Sequence, residues 1–383
     1  NTPAGAMWVG TFHGLAHRLL RAHWKEADLP QGFQILDSDD QFRLIKRILK
    51  SLNLDDSKWP PRQVQWFINA QKDEGRRPDH IDDEGDYYQQ QMIRIYREYE
   101  DACRRGGMVD FAELLLRSHE LWLNNPELLS HYRERFRHVL VDEFQDTNTI
   151  QYAWVRMLVG ANNHLFVVGD DDQSIYGWRG ARVENIQNVE SDFPDVRLVR
   201  LEQNYRSTGN ILSAANAVIA NNPSRLGKNL WTDDGDGEPI RLYAAFNEVD
   251  EARWVIDRIQ DKIAHGMLRS ELAILYRTTA QSRLFEETLI QAGIPYRVYG
   301  GMRFFERAEV KDALAYVRMV SNPNDDAAFE RAVNQPPRGF GPKTLEAVRS
   351  HARDFGSSLW HASKELLEGG AMPARAANAL RGF

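Results

Sequence analysis

The chemistry of this sequence begins where an apolar run ends in two acids. Val139-Leu140-Val141 leads into Asp142-Glu143, which reads as a buried strand delivering two carboxylates at its C-terminal end, the edge of a parallel sheet where ligands bind. One carboxylate can hold Mg²⁺, a hard cation that takes oxygen ligands and keeps several waters. Its neighbour can orient or deprotonate an attacking water. A solvated strand end would look the same over two residues, so the continuation matters: Phe144-Gln145-Asp146-Thr147-Asn148, and one strand later Gly169-Asp170-Asp171-Asp172-Gln173-Ser174-Ile175-Tyr176-Gly177-Trp178-Arg179-Gly180-Ala181. The second segment brings a polar sensor candidate, Gln173, to the same sheet edge. Tyr176 and Trp178 beside Arg179 suit base stacking, worth roughly 1–3 kcal/mol per base. Core packing is the other use of such aromatics, although a loop rich in Gly and Asp is a poor place to bury them.

Two further segments carry candidate chemistry. In Leu201-Glu202-Gln203-Asn204-Tyr205-Arg206-Ser207, Arg206 can reach across a cleft to a γ-phosphate, as arginine fingers do, or cap a helix at the surface. In Arg338-Gly339-Phe340-Gly341-Pro342-Lys343-Thr344, glycines flank one apolar residue before a helix from Thr344. Backbone N–H groups at such a helix start bind phosphate without reading sequence, and an ordinary capped loop is the competing reading. His17, His23, His119 and His131 have no ligand spacing with acidic partners and read as structural or surface residues.

The elements that must position these residues follow from periodicity. Residues 16–136 read as helical: Asp37-Ser38-Asp39-Asp40 starts one helix, Gly106-Gly107 ends another, and Asp110 caps the run through Phe111, Leu114, Leu115 and Leu116. Strands are predicted at 138–141, 165–168 and 196–201, with helices at 149–159 and from about Ser207. Strand, helix and strand in this order imply parallel strands with crossover helices. The alternation restarts with strands at 240–244, 272–276 and 296–299 and helices near 248–264 and 280–292, and the chain turns helical again beyond about 300. Thr232-Asp233-Asp234-Gly235-Asp236-Gly237-Glu238-Pro239 is a turn-rich connector between two α/β units, the first interrupted by a helical insertion.

A chain of 383 residues exceeds one hydrophobic core, and 42% hydrophobic with 27% charged residues is globular composition rather than disorder. The lone Cys103 rules out an internal disulfide or thiolate cluster and fits a reducing cytosol. No apolar run reaches the roughly 18–20 residues that span a bilayer, so no membrane is expected. A net charge of −7 means that any nucleic-acid site is a local groove rather than a basic face.

In order along the chain, Gly10-Thr11-Phe12-His13-Gly14, Val141 to Asn148, Gly169 to Ala181 and Gln203-Asn204-Tyr205-Arg206-Ser207 resemble successive motifs of the UvrD/Rep/PcrA helicases of superfamily 1A, as does Tyr299-Gly300-Gly301-Met302-Arg303-Phe304-Phe305-Glu306-Arg307. The resemblance implies an ATP- and Mg²⁺-dependent 3′→5′ DNA translocase and helicase of nucleotide excision and mismatch repair. Such an enzyme is cytoplasmic, associates with the nucleoid through DNA, and works on single strands and duplex–single-strand junctions alongside repair proteins. Asp142 would hold the metal, Glu143 activate water, Gln173 sense the γ-phosphate, Tyr205 stack on adenine and Arg206 stabilise the transferring phosphate. Thr11, Phe12, His13, Tyr176, Trp178 and Arg179 would line the single strand; Gly339, Phe340, Gly341, Lys343 and Thr344 would meet duplex.

The implied fold is α/β, with two RecA-like parallel-sheet domains of the P-loop NTPase type, incomplete here, and helical insertions. Its expected boundaries are 1–15 for the end of domain 1A, 16–136 for insertion 1B, 137–200 for the rest of 1A, 201–299 for the first part of 2A and 300–383 for the start of 2B. No G-x-x-x-x-G-K-[ST] occurs, the nearest imitation being Gly341-Pro342-Lys343-Thr344. The family's phosphate-binding loop is expected before residue 1 and its last motifs after Phe383, making the chain an internal portion that does not hydrolyse ATP by itself. The competing readings are a DNA-binding or protein-docking module with a vestigial nucleotide site, and a metal-dependent nuclease using Asp142, Glu143 and Asp170 to Asp172. Motif order argues against the nuclease.

Overall fold

Local rules account for most helix boundaries. Asp37 accepts from the N–H groups of Asp39 and Asp40 (2.9 and 2.8 Å) and so caps α2 (Ser38–Ser51), which follows α1 (Phe12–Ala22) and buries Leu44, Ile45, Ile48 and Leu49 on one face. Pro61 opens α3 (Pro61–Asp73), where its missing N–H costs nothing. α4 (Tyr87–Arg105) stops at Gly106, and Asp110 caps α5 (Phe111–Asn124) by accepting from the Glu113 N–H at 2.7 Å. α6 (Pro126–Arg135) then leads to the strand carrying the acid pair. Two very short strands, β1 (Gln34–Ile35) and β2 (Met108–Val109), pair in parallel within this helical region.

The computed structural model describes residues 7–383 apart from 84, 162, 194, 224 and 300–307. They fall into two units, Asn1–Gly235 and Asp236–Phe383, divided within the polar connector. In the first unit β3 (His138–Val141), α7 (Thr149–Val159) and β4 (His164–Val167) form a right-register parallel pair, His138 opposite His164 through Val141 opposite Val167. α8 (Glu184–Asp192) and α9 (Gly209–Ile219) follow. One core joins α1, α5, α6 and α7 through Leu19, Leu20, Leu115, Trp122, Tyr132, Trp154 and Leu158; a second, under the strand ends, gathers Val141, Phe144, Tyr152, Val155 and Val189. Phe12 and Val139 pack against both.

The helical region also buries ions. Lys72 is 1% exposed and its ammonium meets Asp110 at 2.7 Å and Glu113 at 2.9 Å, while Arg77 binds Glu113, Glu120 and Glu100. Burial opposes the Glu113 charge, yet Lys72, Arg77 and Arg117 together hold its carboxyl well below the usual range. Removing one member of such a set leaves its partners buried and uncompensated, at a cost of roughly 3–5 kcal/mol.

The second unit holds α10 (Glu248–Ala264), α11 (Thr279–Gln291), α12 (Ala308–Ser321), α13 (Asp326–Ala332), α14 (Pro342–Phe355), α15 (Leu359–Glu368) and α16 (Ala374–Arg381). Phe329, Ala332, Phe340, Val348, Ala362 and Leu380 are among the residues forming its core. Among the described residues, no helix is long and apolar enough to cross a membrane.

Four predicted strands are not paired. Residues 196–201, 240–244, 272–276 and 296–299 form no ladder among the described residues, and the second unit has no sheet there. A strand exists only with a partner for its N–H and C=O groups; these segments have the right composition and no neighbour, so Leu201, Leu242 and Leu275 stay exposed. Among the described residues the strands form two small parallel pairs, β1–β2 and β3–β4, within largely helical surroundings rather than two extended sheets. Of the Tyr299-to-Arg307 signature, residues 300–307 lie outside the described residues, and Tyr299 is exposed.

Candidate functional site

The acid pair is looped out of the sheet by its own ladder. The Val168 N–H donates to the Val141 carbonyl at 2.9 Å, and the Phe144 N–H donates to the Val168 carbonyl at 3.0 Å. Both backbone groups of Val168 are thus taken by residues on either side of Asp142-Glu143, which bulge outward. Glu143 adopts the left-handed region, φ 50° and ψ 46°, costing on the order of 1 kcal/mol for a residue with a Cβ. The excursion leaves both carboxylates exposed, with Asp142 Oδ1 accepting from the Glu143 N–H at 3.0 Å. Phe144 is fully buried beneath them and anchors the turn. Asp146 lies just beyond, its carboxyl raised by burial and then by the Glu143 charge.

Gln145, 1% exposed, joins this turn to the loop after β4. Its Nε2 donates to Glu143 Oε2 at 2.8 Å and its Oε1 accepts from the Asp170 N–H at 2.9 Å. Asp170 in turn accepts from Gln173 Nε2 at 2.6 Å. The far end of the loop is pinned as well: the Arg182 N–H and Asn185 Nδ2 both donate to the Thr147 carbonyl at 2.9 Å. Between these anchors Trp178 is 75% exposed and Tyr176 is exposed, with the Arg179 guanidinium 5.6 and 5.5 Å from their ring centroids. That exposure removes core packing as the reason for Trp178.

Arg179 also reaches α1. Burial first, and the Arg179 charge second, lower the His13 pKa below its usual value, so the imidazole is neutral beside the guanidinium at pH 7. His13 packs edge-on against Phe111 with centroids 6.0 Å apart, and Phe111 is exposed. The sequence offered only that Phe111 follows the α5 cap; its neighbourhood with His13 comes from α1 packing on α5. Thr11 caps α1, accepting from the Gly14 N–H at 3.2 Å. Phe12 is half-buried: its ring packs against both cores and edge-on to Trp154 at 6.2 Å.

Asp170 to Asp172 bring carboxylate oxygens within 4.8 Å of one another, but cations already meet them. Arg225 pairs with Asp172, its Nε at 2.8 Å, Lys228 pairs with Asp170, and the Leu226 N–H donates to Asp171 at 2.6 Å. Burial opposes the charge of Asp170, while the Lys228 and Gln173 hydrogen bonds prevail and lower its pKa. Two of the three carboxylates are thus paired with cations of the same unit, which makes the run a poor fit to a nuclease metal cluster. Neither cation had a signal in the sequence, since basic residues in a polar loop are ordinary.

Tyr205 is 77% exposed and its hydroxyl donates to Gln203 at 2.7 Å. Asn204 Oδ1 accepts from the Arg206 and Ser207 N–H groups at 2.9 and 2.8 Å, folding the segment into a turn that presents Arg206 to solvent. The described contacts do not join Tyr205 or Arg206 to the acid pair.

In the second unit Phe340 is 3% exposed within the core, so it cannot meet duplex; the apolar residue between two glycines is a plug. At the start of α14, Pro342 has no N–H, and that of Thr344 donates to the Gly341 carbonyl at 3.1 Å. Lys343 is exposed at this helix start, and Arg375 packs over the loop, its Nε 2.7 Å from where a Cβ on Gly339 would lie.

Residues 1–194 match the UvrD/REP helicase N-terminal domain and residues 199–365 the UvrD-like helicase C-terminal domain. The chain is 63% identical over 382 residues to DNA helicase II of Escherichia coli strain K12, covering 100% of the chain and 53% of that protein. It is 55% identical over 377 residues to DNA helicase II of Haemophilus influenzae, covering 98% and 52%, and 43% identical over 382 residues to the ATP-dependent DNA helicase PcrA of Bacillus subtilis strain 168, covering 99% and 52%. The chain thus spans about half the length of these curated relatives. With the N-terminal domain family matching just over half of its 383 residues, the chain belongs to the UvrD/REP helicases.

Proposed function

We propose that this chain is the central part of an ATP-dependent 3′→5′ DNA helicase and translocase of DNA repair. The observation that carries the reading is the Gln145 bridge, which joins an exposed carboxylate pair at a parallel-strand edge to a loop presenting Tyr176, Trp178 and Arg179 beside His13. Hydrolysis needs the first and a single-strand track needs the second. Two RecA-like domains, 1A (1–15 and 137–200) and 2A (201–299), with insertions 1B (16–136) and 2B (300–383), describe this organisation. The exposed apolar segments 196–201 and 240–244, and the partly exposed 272–276, support strands that pair outside these residues.

In this reading Glu143 takes the proton of the attacking water, its carboxylate exposed on a left-handed turn just past the strand end. Asp142, exposed and with one oxygen engaged by the Glu143 N–H, has the hard oxygen donor that Mg²⁺ requires. The metal, when bound, neutralises phosphate charge. Gln173 senses the γ-phosphate through its link to Asp170, Tyr205 stacks on adenine from its exposed turn, and Arg206 faces the phosphate. Thr11, His13, Phe111, Tyr176, Trp178 and Arg179 hold single-stranded DNA; Lys343, with Gly339, Gly341 and Thr344 shaping its loop, meets the duplex at a junction. Repair proteins are the partners this activity implies.

Unwinding of tailed duplexes by the full-length protein tests the proposal. ATP-dependent unwinding of a 3′-tailed but not a 5′-tailed duplex is expected, while these 383 residues alone, without a phosphate-binding loop, should not turn over ATP. Strand-binding with no ATP-dependent unwinding by the full-length protein would favour the DNA-binding module instead.

A further inference from the structure

We propose that Gln145 is a positioning residue that couples the water-activating carboxylate to the DNA loop. This inference rests on the proposed roles of Glu143 and of loop 170–181. A continuous relay runs from Glu143 Oε2 to Gln145 Nε2 (2.8 Å), from Gln145 Oε1 to the Asp170 N–H (2.9 Å), and from Asp170 Oδ2 to Gln173 Nε2 (2.6 Å). Its central amide is 1% exposed, so neither hydrogen bond is replaced by bulk water when broken.

The surroundings leave Gln145 little choice of rotamer. A Cβ at Gly169 would sit 2.9 Å from Gln145 Oε1 and 2.9 Å from Ile186 Cδ1, so glycine is needed for the loop after β4 to pass this close. The amide also has directionality. Its amino group donates to the carboxylate and its carbonyl oxygen accepts from a backbone N–H, and no other uncharged side chain of this length supplies both. When a base stacks on Trp178 and shifts the loop, Asp170 moves at the loop's first anchor, and the amide passes that movement to the Glu143 carboxylate. Glu143 sits in a left-handed turn held in place by its neighbours, so its carboxylate position depends on partners such as Gln145.

Two variants of the full-length protein test this. Gln145→Met keeps length and removes both hydrogen bonds. Gln145→Glu keeps the acceptor for Asp170 and replaces the donor facing Glu143 with an oxygen. Steady-state kcat and KM for ATP would be measured at saturating single strand, together with single-strand affinity and melting temperature. We expect kcat to fall about 10²-fold, the scale of a catalytic group misplaced by an ångström, with KM and DNA affinity little changed, in whichever variant folds. A near-normal kcat overturns the inference. So does a loss of kcat, KM, DNA affinity and melting temperature together, since that is a merely structural role. Glu143→Gln assayed in parallel separates the two claims: if it still turns over, the proposed function fails; if it is inactive while the Gln145 variants work normally, only the coupling role fails.

Discussion

At the scale of single residues, exposure sorts aromatics that look alike in sequence. Trp178 and Phe340 both sit among glycines, yet one is 75% exposed and the other 3%. Local composition made Trp178 legible because its loop offers nothing to bury it against. Phe340 was misread because its burial comes from distant residues, Phe329 and Val348 among them. If Trp178 stacks on bases, Trp178→Ala should weaken single-strand binding by roughly 1–3 kcal/mol with little change in salt slope, since no phosphate contact is lost. Lys343→Ala should instead spare single-strand affinity, weaken binding to a tailed duplex and reduce the salt slope by about one counterion. Titrating both variants of the full-length protein against both substrates at several salt concentrations checks this. A lowered melting temperature with intact affinities would remove Trp178 from the DNA track.

At the scale of elements, what was legible is what local rules decide. The caps at Asp37 and Asp110 and the strand ending at Val141 follow from neighbours within four residues. The Gln145 bridge and the Arg225 and Lys228 counter-cations depend on β3–β4 register and on a loop 53 residues further on for Arg225 to Asp172, beyond any local signal. The end of α3 is another such contact. Asn148 donates to Asp73 at 2.9 Å, and Arg182 pairs with Glu74 at 2.6 Å, tying the helical region to the site's turn and loop. Burial, and then the Asp110 charge, raise the Asp73 carboxyl from 3.8 to about 7. The folded chain therefore keeps a proton that the unfolded chain has released, so stability falls as pH rises through this interval and stays reduced above it. Asp73→Asn keeps an acceptor for Asn148 and removes the charge. Thermal melting should show the variant more stable at pH 8 by roughly 1–3 kcal/mol, the gap narrowing toward pH 4. A gap independent of pH would assign it to packing.

At the scale of the whole molecule, the chain is half of the length its relatives have, and its exposed strand segments mark where sequence pattern and pairing part company. The apolar alternation at 240–244 and 272–276 is a sheet's alternation, but a sheet is a property of several segments together. The acid pair needs no such completion: the Val168 ladder, buried Phe144 and Gln145 set it within one unit. The central claim is therefore that Glu143 activates water there. In the full-length protein, Glu143→Gln preserves side-chain shape and the Asp142 carboxylate. The direct measurement is ATP affinity by equilibrium titration beside the single-strand-stimulated hydrolysis rate. Hydrolysis should fall by roughly 10²–10⁴ while affinity holds. Retained turnover would contradict the account, and an equal loss of affinity would make Glu143 a binding residue instead.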